Sequence, residues 1–315
     1  MQSPQGTPWT VADVPDQTGR VAVVTGASTG LGFEVASVLA ARGATLVLAC
    51  RNRERAMAAA RRITEATPGA RVSIQQVDLA SLASLTQAAE ELGTEHEFID
   101  LLINNAGVMV PRRDTTMDGH ELHLGVNHLG TFALTSLLID RLLPTPGSRI
   151  VTVSSVAHRN ARLRLDDLQS SANYKWGEAY AQSKLANLLF TYELQRRLAA
   201  IGAETIAVAA HPGNADTELV RDFPLQQKII GSPLVRWATK WLFQHPPEGA
   251  LPLLRAATDP AVRGGEYYGP SGFREYTGSP VRVESVGQSH DLDAQRLLWA
   301  ASERLCGVSF GPVIA

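Results

Sequence analysis

A tyrosine and a lysine four positions apart are the side chains best placed to do chemistry. Tyr180 and Lys184 lie in a segment with helical spacing, so both would occupy one face of a helix. A tyrosine hydroxyl titrates at about 10 in water, and acting as a base near neutral pH requires a shift of roughly 3 units, or about 4 kcal/mol. A neighbouring ammonium has the sign that this shift requires. The pair predicts proton exchange with a substrate oxygen; the alternative is a surface pair at a common spacing.

A glycine-rich segment after the first apolar run could hold a phosphate. The spacing G-x-x-x-G-x-G leads directly into a predicted helix. The first glycine permits a tight turn, the second lets the backbone approach a pyrophosphate, and the third lets the helix pack closely on the strand. The helix N-terminus adds free N–H groups and a partial positive charge. A structural turn is the alternative to this predicted dinucleotide site. Its predicted contacts are Gly26, Ser28, Thr29, Gly30, Leu31 and Gly32.

The end of the second apolar run indicates which dinucleotide binds. NAD enzymes place an acidic residue there, about 20 residues on, to bond the ribose 2′-OH. In this chain no carboxylate follows that run before Glu54, and Arg51 occupies the position instead. A planar guanidinium can pair with a 2′-phosphate. The segment therefore predicts NADP(H) rather than NAD(H); the alternative is a solvated arginine at the start of a helix.

Alternating strands and helices would bring these residues together. Continuous apolar runs suit strands that are buried on both faces of a parallel sheet. Their alternation with helical patterns predicts a single-domain, doubly wound α/β fold with about seven mostly parallel strands and helices on both faces. Ligands of such sheets bind at the carboxyl ends of the strands. The predicted strands are 20–25, 45–50, 72–77, 100–104, 149–154 and 205–210, and the predicted helices are 31–42, 53–66, 81–92, 125–143 and 179–201.

Composition restricts the class of protein. The 315 residues are 44% hydrophobic and 19% charged, as in globular proteins, and the net charge of −2 gives no reason to expect a nucleic-acid partner. Only two cysteines, Cys50 and Cys306, are present, and the histidines show no H-x-x-x-H pattern, so no metal site is expected. We expect an N-terminal arm at 1–18, one domain at 19–306 and a tail at 307–315.

The predicted location follows from what the sequence does not contain. The first seventeen residues have no lysine, no arginine and no long apolar run, unlike a secretory signal. No stretch reaches the roughly 18 apolar residues that a spanning helix needs. We therefore expect a cytoplasmic protein without a transmembrane segment.

Further motifs match the pattern of a known family. In order and spacing, the chain resembles the short-chain dehydrogenase/reductase family over about residues 18–306, and its compact single-domain branch with a Rossmann fold. The spacing of 25 residues from Ser155 to Tyr180 is similar to that of the retinol-dehydrogenase-like and protochlorophyllide-reductase-like subgroup. The segments that carry the resemblance are Leu48–Asn52, Asp78-Leu79, Asn104–Gly107, Val126–Gly130, Ser154-Ser155, Tyr180–Asn187, Pro212-Gly213 and Glu266–Pro270.

The resemblance implies a role for each catalytic residue. Tyr180 would give its proton to a carbonyl oxygen while a nicotinamide gives the hydride, and Lys184 would also bond the nicotinamide ribose. Ser155, in preference to its neighbour Ser154, would hydrogen-bond the substrate oxygen. Asn127 would lie in a kinked helix and hold a water on a proton path to Lys184; a helix-breaking polar residue is the alternative.

The resemblance also implies contacts to the rest of the nucleotide. Asp78 would accept a hydrogen bond from the adenine amino group, with Leu79 packed beside the ring. Asn105 is also a candidate to brace the sheet, and the lone His211 is expected to be structural. The remaining implied contacts are Asn105, Ala106 and Gly107 at the adenosine ribose, and Pro212, Gly213 and Thr217 beside the nicotinamide.

Residues 214–247 are expected to cover the substrate. They are rich in large apolar side chains, as pockets for lipophilic molecules are. The alternatives are a helix pair packed on the core, and a dimer or membrane-surface patch.

These observations together predict an NADP(H)-dependent oxidoreductase that interconverts a carbonyl and an alcohol on a lipophilic small molecule. By analogy, a homo-oligomer through the helix of Tyr180 is expected. Two alternatives stay open. Reduction of an activated C=C bond, as in protochlorophyllide reductase, would use the same Tyr and Lys. A non-catalytic NADP(H)-binding sensor would use the same fold.

Overall fold

Eight strands form one sheet across the protein. The computed structural model describes residues 8–214 and 243–311. The strands are β1 (Val21–Thr25), β2 (Thr45–Cys50), β3 (Arg71–Gln76), β4 (Leu101–Asn104), β5 (Arg149–Val153), β6 (Ile206–Ala210), β7 (Tyr267–Pro270) and β8 (Pro280–Arg282). Their spatial order is β3-β2-β1-β4-β5-β6-β7-β8, parallel except for the antiparallel pair β7 and β8. The strand order reverses between β1 and β4, which is where doubly wound sheets bind ligands.

Helices cover both faces of the sheet. On one face α1, α2 and α6 pack on residues such as Ala22 and Val24, and on the other α3, α4, α5 and α7 pack on residues such as Val23. Neighbours along β1 therefore point into different cores, which is why its apolar run is continuous. The helices are α1 (Gly30–Ala41), α2 (Arg53–Ala66), α3 (Leu82–Glu95), α4 (Thr131–Leu142), α5 (Trp176–Ala200), α6 (Pro246–Thr258) and α7 (Leu292–Cys306).

The predicted α/β fold is confirmed, with corrections to its elements. The sheet has eight strands where about seven were expected, because β8 has three residues and no apolar run of its own. The predicted helix 125–143 is instead a π-helix at Leu124–Gly130 followed by α4. Both cysteines are free and buried.

The ends of the described chain pack on the domain. Arg42 Nη2 donates to the carbonyl oxygens of Val11 and Ala12, which attaches part of the predicted arm to the end of α1. In the predicted tail, Phe310 is buried against Phe132 and Trp299. Of the predicted cover, residues 215–242 lie outside the described residues.

Candidate active site

The glycine-rich turn adopts a backbone conformation and a close packing that require glycine at two positions. It lies between the end of β1 and the start of α1, where the φ of Gly26 is +67°, a value that favours glycine. The N–H of Gly26 donates to Ala49 O at 2.8 Å, which fixes the turn to β2. A Cβ on Gly32 would lie 2.5 Å from Gly26 O, so only glycine lets α1 approach this closely. The N-terminus of α1 therefore opens at the carboxyl edge of the sheet, as a phosphate site requires.

Asn105 braces the two strands on either side of the crevice. Its Nδ2 donates to Thr25 O at 2.8 Å, and Thr25 Oγ1 accepts from the N–H groups of Asn105 and Ala106 at 3.0 Å each. The ends of β1 and β4 are thereby joined. This is the second of the two functions that the sequence predicts for Asn105, and it holds Ala106 and Gly107 at the sheet edge.

Two further predicted nucleotide contacts follow β2 and β3. Arg51 is exposed directly after β2, while its neighbour Asn52 caps α2 by accepting from Arg55 N at 2.8 Å. Asp78 Oδ1 accepts from Ala80 N at 2.9 Å in the turn after β3, beside the buried Leu79. The side chain that caps the helix is thus Asn52, and Arg51 stands at the rim of the crevice.

Tyr180 and Lys184 lie together on α5, as predicted. Lys184 Nζ is 5.9 Å from the centre of the Tyr180 ring and donates to Val153 O, at the end of β5, at 3.2 Å. The lysine is 4% exposed, and burial lowers its pKa to about 8. A Cβ on Gly107 would lie 3.3 Å from Nζ, so the ammonium faces the loop after β4.

The protonation of Tyr180 differs from the expectation. Burial raises the pKa of its hydroxyl, and a hydrogen bond with Ser155 opposes this rise without cancelling it. The sequence predicts that Lys184 lowers the pKa of Tyr180, but among the described residues alone this pKa is raised. The hydroxyl stays protonated at neutral pH, which is the state that a proton donor needs.

The two adjacent serines have different partners. Ser154 is buried, and its Oγ donates to Lys184 O at 2.8 Å, which joins β5 to α5. Ser155 is half-buried and caps the short 3₁₀ helix Val156–Asn160, and its hydroxyl opposes the rise in the pKa of Tyr180. Ser155 is thus the serine on the side of the Tyr180 hydroxyl.

Asn127 connects the loop after β4 to the helix of Tyr180. Its Oδ1 accepts from Val108 N at 2.7 Å, and its Nδ2 donates to Val108 O and to Ser183 Oγ at 3.0 Å each. Ser183 Oγ in turn donates to Tyr180 O at 2.7 Å. Both amide donors are used, so a water at this position would donate to the second lone pair of Oδ1 or bind the backbone of the π-helix. Such a π-helix is frequent at functional sites.

The turn after β6 is held by side chains that the sequence did not reveal. His211 is buried, accepts from Gly213 N at 3.2 Å and contacts Glu275 Oε2 at 3.1 Å, consistent with its predicted structural role. Glu275 also pairs with Arg159 and has a φ of +60°, which is uncommon for a residue with a side chain. Gln244 Nε2 donates to Pro212 O at 2.6 Å.

The predicted nicotinamide contact Thr217 lies outside the described residues. The other predicted catalytic and cofactor-binding residues, from the glycine-rich turn to Gly213, lie at the carboxyl edge of the sheet. Glu121, His123 and Tyr174 also lie there, although the sequence did not single them out. In the sequence, Glu121 and His123 form a Glu-x-His pair shortly before the segment Val126–Gly130. This pair suggests no particular chemistry until the fold is known.

A cavity of about 620 Å³ adjoins the start of α5. It lies between the loops after β4 and β5 and the residue that follows Tyr180. Its lining is Pro111, Asn160, Tyr174, Lys175, Trp176, Gly177, Glu178 and Ala181. The aromatic and apolar members suit a lipophilic molecule, and Ala181 in the lining directly follows Tyr180 in the chain.

The described ranges hold no candidate metal site and no candidate membrane-spanning helix. Within 8–214 and 243–311, no group of three histidine, cysteine or carboxylate residues could hold a metal ion. No helix in these ranges is long and apolar enough to cross a bilayer.

Known proteins resemble this chain over most of its length. The family described as short chain dehydrogenase matches residues 20–228. Human retinol dehydrogenase 13 is 40% identical over 92% of this chain and 85% of its own. Polyprenol dehydrogenase from Danio rerio is 38% identical over 94% and 89%. The crystal structure of an uncharacterized protein from Mycobacterium paratuberculosis is 40% identical, with a TM-score of 0.80 over 96% of this chain and 99% of that one.

Proposed function

This chain belongs to the short chain dehydrogenase family, and from that premise we propose that it interconverts a carbonyl and an alcohol on a lipophilic small molecule with NADP(H). The observation that carries the proposal is the grouping of Ser155, Tyr180 and Lys184 at the carboxyl edge of the sheet, opposite the glycine-rich turn. The related proteins are named for retinol and polyprenol, which are both lipophilic alcohols.

The residues present fit a nicotinamide dinucleotide. Gly26 and Gly32 give a turn that a side chain would fill, at the N-terminus of a helix. Arg51 is exposed where a 2′-phosphate would lie in this fold, which favours NADP(H). An ammonium has three donors, and within the described residues Lys184 uses one, on Val153 O. Its other donors are available for a ribose hydroxyl.

The protein supplies the proton and the orientation of the substrate. When bound, the nicotinamide supplies or accepts the hydride. In the direction of reduction, Tyr180 donates its hydroxyl proton to the carbonyl oxygen, and Ser155 donates a hydrogen bond to the same oxygen as negative charge develops there. The Lys184 ammonium stabilises the phenolate that Tyr180 becomes. In oxidation, the fraction of Tyr180 that is a phenolate stabilised by Lys184 takes the alcohol proton, while Ser155 hydrogen-bonds the alcohol oxygen.

The substrate would enter the cavity at the start of α5. Pro111, Tyr174 and Trp176 give it a largely apolar wall, and Ala181, which follows Tyr180 on α5, completes the lining. Such a wall binds the carbon chain that flanks a reacting carbonyl and leaves the oxygen for Ser155.

The test is turnover of NADPH with a panel of apolar aldehydes and ketones, on the wild type and Tyr180→Phe. We expect the variant to lose activity by roughly 1,000-fold or more, because the proton donor is removed, while NADPH binding by calorimetry is retained. Tyr192→Phe is the matched control, since Tyr192 lies on the same helix but hydrogen-bonds Ser285.

Two other outcomes would replace the proposal. Turnover of enones but not of ketones would indicate reduction of a C=C bond. Tight NADPH binding without turnover of any compound would indicate a sensor. The cytoplasmic location and the homo-oligomer stay predictions.

A further inference from the structure

A buried imidazole stands edge-on to the ring of Tyr180, and a buried carboxylate is hydrogen-bonded to that imidazole. Glu121 is 1% exposed and His123 is 0% exposed, and His123 Nδ1 is 2.9 Å from Glu121 Oε1. The His123 ring stands edge-on to the Tyr180 ring, with centres 5.9 Å apart and planes at 74°. The mechanism proposed above uses neither residue, although His123 contacts the Tyr180 ring and Glu121 contacts His123.

The hydrogen bonds of His123 define its protonation. The backbone N–H of Val110 donates to His123 Nε2 at 3.0 Å, so this nitrogen carries no proton. The ring proton is then on Nδ1, where it is donated to Glu121. An imidazolium could not accept from Val110, so His123 is neutral in this arrangement.

Glu121 is an ionised acceptor for several donors. Burial raises the pKa of its carboxyl, but hydrogen bonds from His123 and from the N–H groups of His123 and Leu124 outweigh burial, and the pKa lies below its usual value. The two N–H groups are 3.0 and 2.7 Å from the carboxylate oxygens. The Tyr174 hydroxyl donates to Oε1 at 3.3 Å. A buried carboxylate is tolerated when it is hydrogen-bonded in this way.

These contacts join both walls of the cavity to the reacting residue. Val110 precedes Pro111, which lines the cavity on the side of β4. Tyr174 lines it on the side of β5. His123 contacts Val110 and Tyr180, and Glu121 contacts Tyr174. The pair therefore fixes three elements whose relative placement determines how the substrate meets the hydroxyl.

We propose that Glu121 and His123 are positioning residues: the carboxylate holds the imidazole in its Nδ1–H form, and the imidazole holds the Tyr180 ring and the cavity wall in the reactive arrangement. This inference rests on the proposed function. It predicts that the pair acts on turnover and on substrate affinity, and not on the nucleotide, because neither residue lies at the glycine-rich turn.

The test is Glu121→Gln, which keeps the volume and removes the charge. An amide has a single acceptor oxygen, so it cannot accept both from His123 and from the Leu124 N–H, and the buried pair loses at least one of the bonds that hold it. We expect kcat per NADPH-binding site to fall roughly 10- to 100-fold, because misplacement near the reacting atoms has effects of that size. The NADPH dissociation constant, measured by calorimetry, should stay within about twofold of wild type.

Glu193→Gln is the matched control. Glu193 is a fully buried carboxylate on α5, paired with Arg196 and Arg197, far along the helix from Tyr180. The Glu193→Gln variant should lose thermal stability, and its kcat per site should be unchanged.

Tyr174→Phe removes one hydroxyl and keeps the ring. It should raise the substrate KM, and it tests the inference if Glu121→Gln folds poorly.

The outcomes separate the inference from the proposed function. Wild-type kcat per site in Glu121→Gln, or unchanged KM in Tyr174→Phe, would show that the pair only stabilises the fold, and would overturn the inference alone. A wild-type protein that binds NADPH but turns over no carbonyl compound, alcohol or enone would overturn both.

Discussion

The nucleotide side and the substrate side of this crevice are built differently. On the nucleotide side, the side chains in the turns after β2 and β3 bond to neighbours in sequence, such as Asn52 with Arg55 and Asp78 with Ala80. On the substrate side, side chains join distant segments, such as Asn127 with Ser183 and His211 with Glu275. The turns of the first side are therefore shaped mainly by local backbone geometry, with Asn105 and the backbone of Gly26 as its long-range links, whereas the second side depends on the complete fold.

This difference predicts how each side responds to a single change. A local turn is altered mainly by residues inside it. A network of distant side chains transmits a change to the reacting atoms, since each member positions the next. Substitutions on the substrate side should therefore act on turnover, and those on the nucleotide side on the affinity for the dinucleotide.

After Tyr180→Phe, the largest effect on turnover should come from Ser155, one of the two adjacent serines on the substrate side. Ser155→Ala removes the hydroxyl that is proposed to hydrogen-bond the substrate oxygen, and should lower kcat roughly 100- to 1,000-fold. Ser154→Ala removes the bond to Lys184 O and should cost about 1 kcal/mol of folding free energy with kcat nearly unchanged. Steady-state kinetics and thermal unfolding of both variants measure this contrast. Equal losses of kcat in the two variants would contradict a catalytic role for Ser155 and a purely structural role for Ser154.

The strands, helices and turns of the nucleotide side could be predicted almost completely from the sequence. The bounds of β2 and α2 agree with the prediction at both ends, because a glycine precedes β2 and the capping residue Asn52 precedes α2. The positions of Gly26 and Gly32 follow from a spacing that has a direct geometric reason.

The substrate side could be predicted only as a set of residues. Asn127 was identified by resemblance, but not its bonds to Val108, because a π-helix and a continuous α-helix have similar patterns of apolar residues. Glu121 and His123 gain a function only when Val110 and Tyr180 are brought to them by the fold. The edge strand β8 is too short to show a period.

A change on the nucleotide side should have a smaller effect, and on selectivity rather than turnover. Arg51→Asp replaces a cation at the rim with an anion, which repels a 2′-phosphate and can bond a ribose 2′-OH. We expect the ratio of NADPH to NADH affinity to fall roughly 10- to 100-fold, the size of a charge-assisted hydrogen bond. Calorimetry with both nucleotides measures it, with Arg61→Asp as the control, an exposed arginine on α2 that changes the net charge equally. An unchanged ratio in Arg51→Asp would remove Arg51 from the nucleotide site.

The smallest effect concerns Lys184, which lies where the two sides meet. Burial lowers its pKa to about 8, so the ammonium is present below that pH and is lost as the pH rises through it. Burial raises the pKa of Tyr180, which therefore stays protonated over the same range. The affinity for NADPH should be constant from pH 6.5 to about 7.5 and should fall by up to roughly tenfold by pH 9, because about nine-tenths of the lysine is then neutral.

Lys184→Met isolates this titration. The methionine keeps an unbranched apolar stem but has no proton to lose, so its NADPH affinity should be weak at neutral pH and independent of pH up to 9. If the wild type shows the same flat profile, the ammonium does not contact the nucleotide, and the lysine serves only Tyr180. If the variant keeps the wild-type slope, another group titrates near pH 8. The steep profile in wild type alone would place Lys184 on both sides of the crevice, bonded to the nucleotide and next to the proton donor.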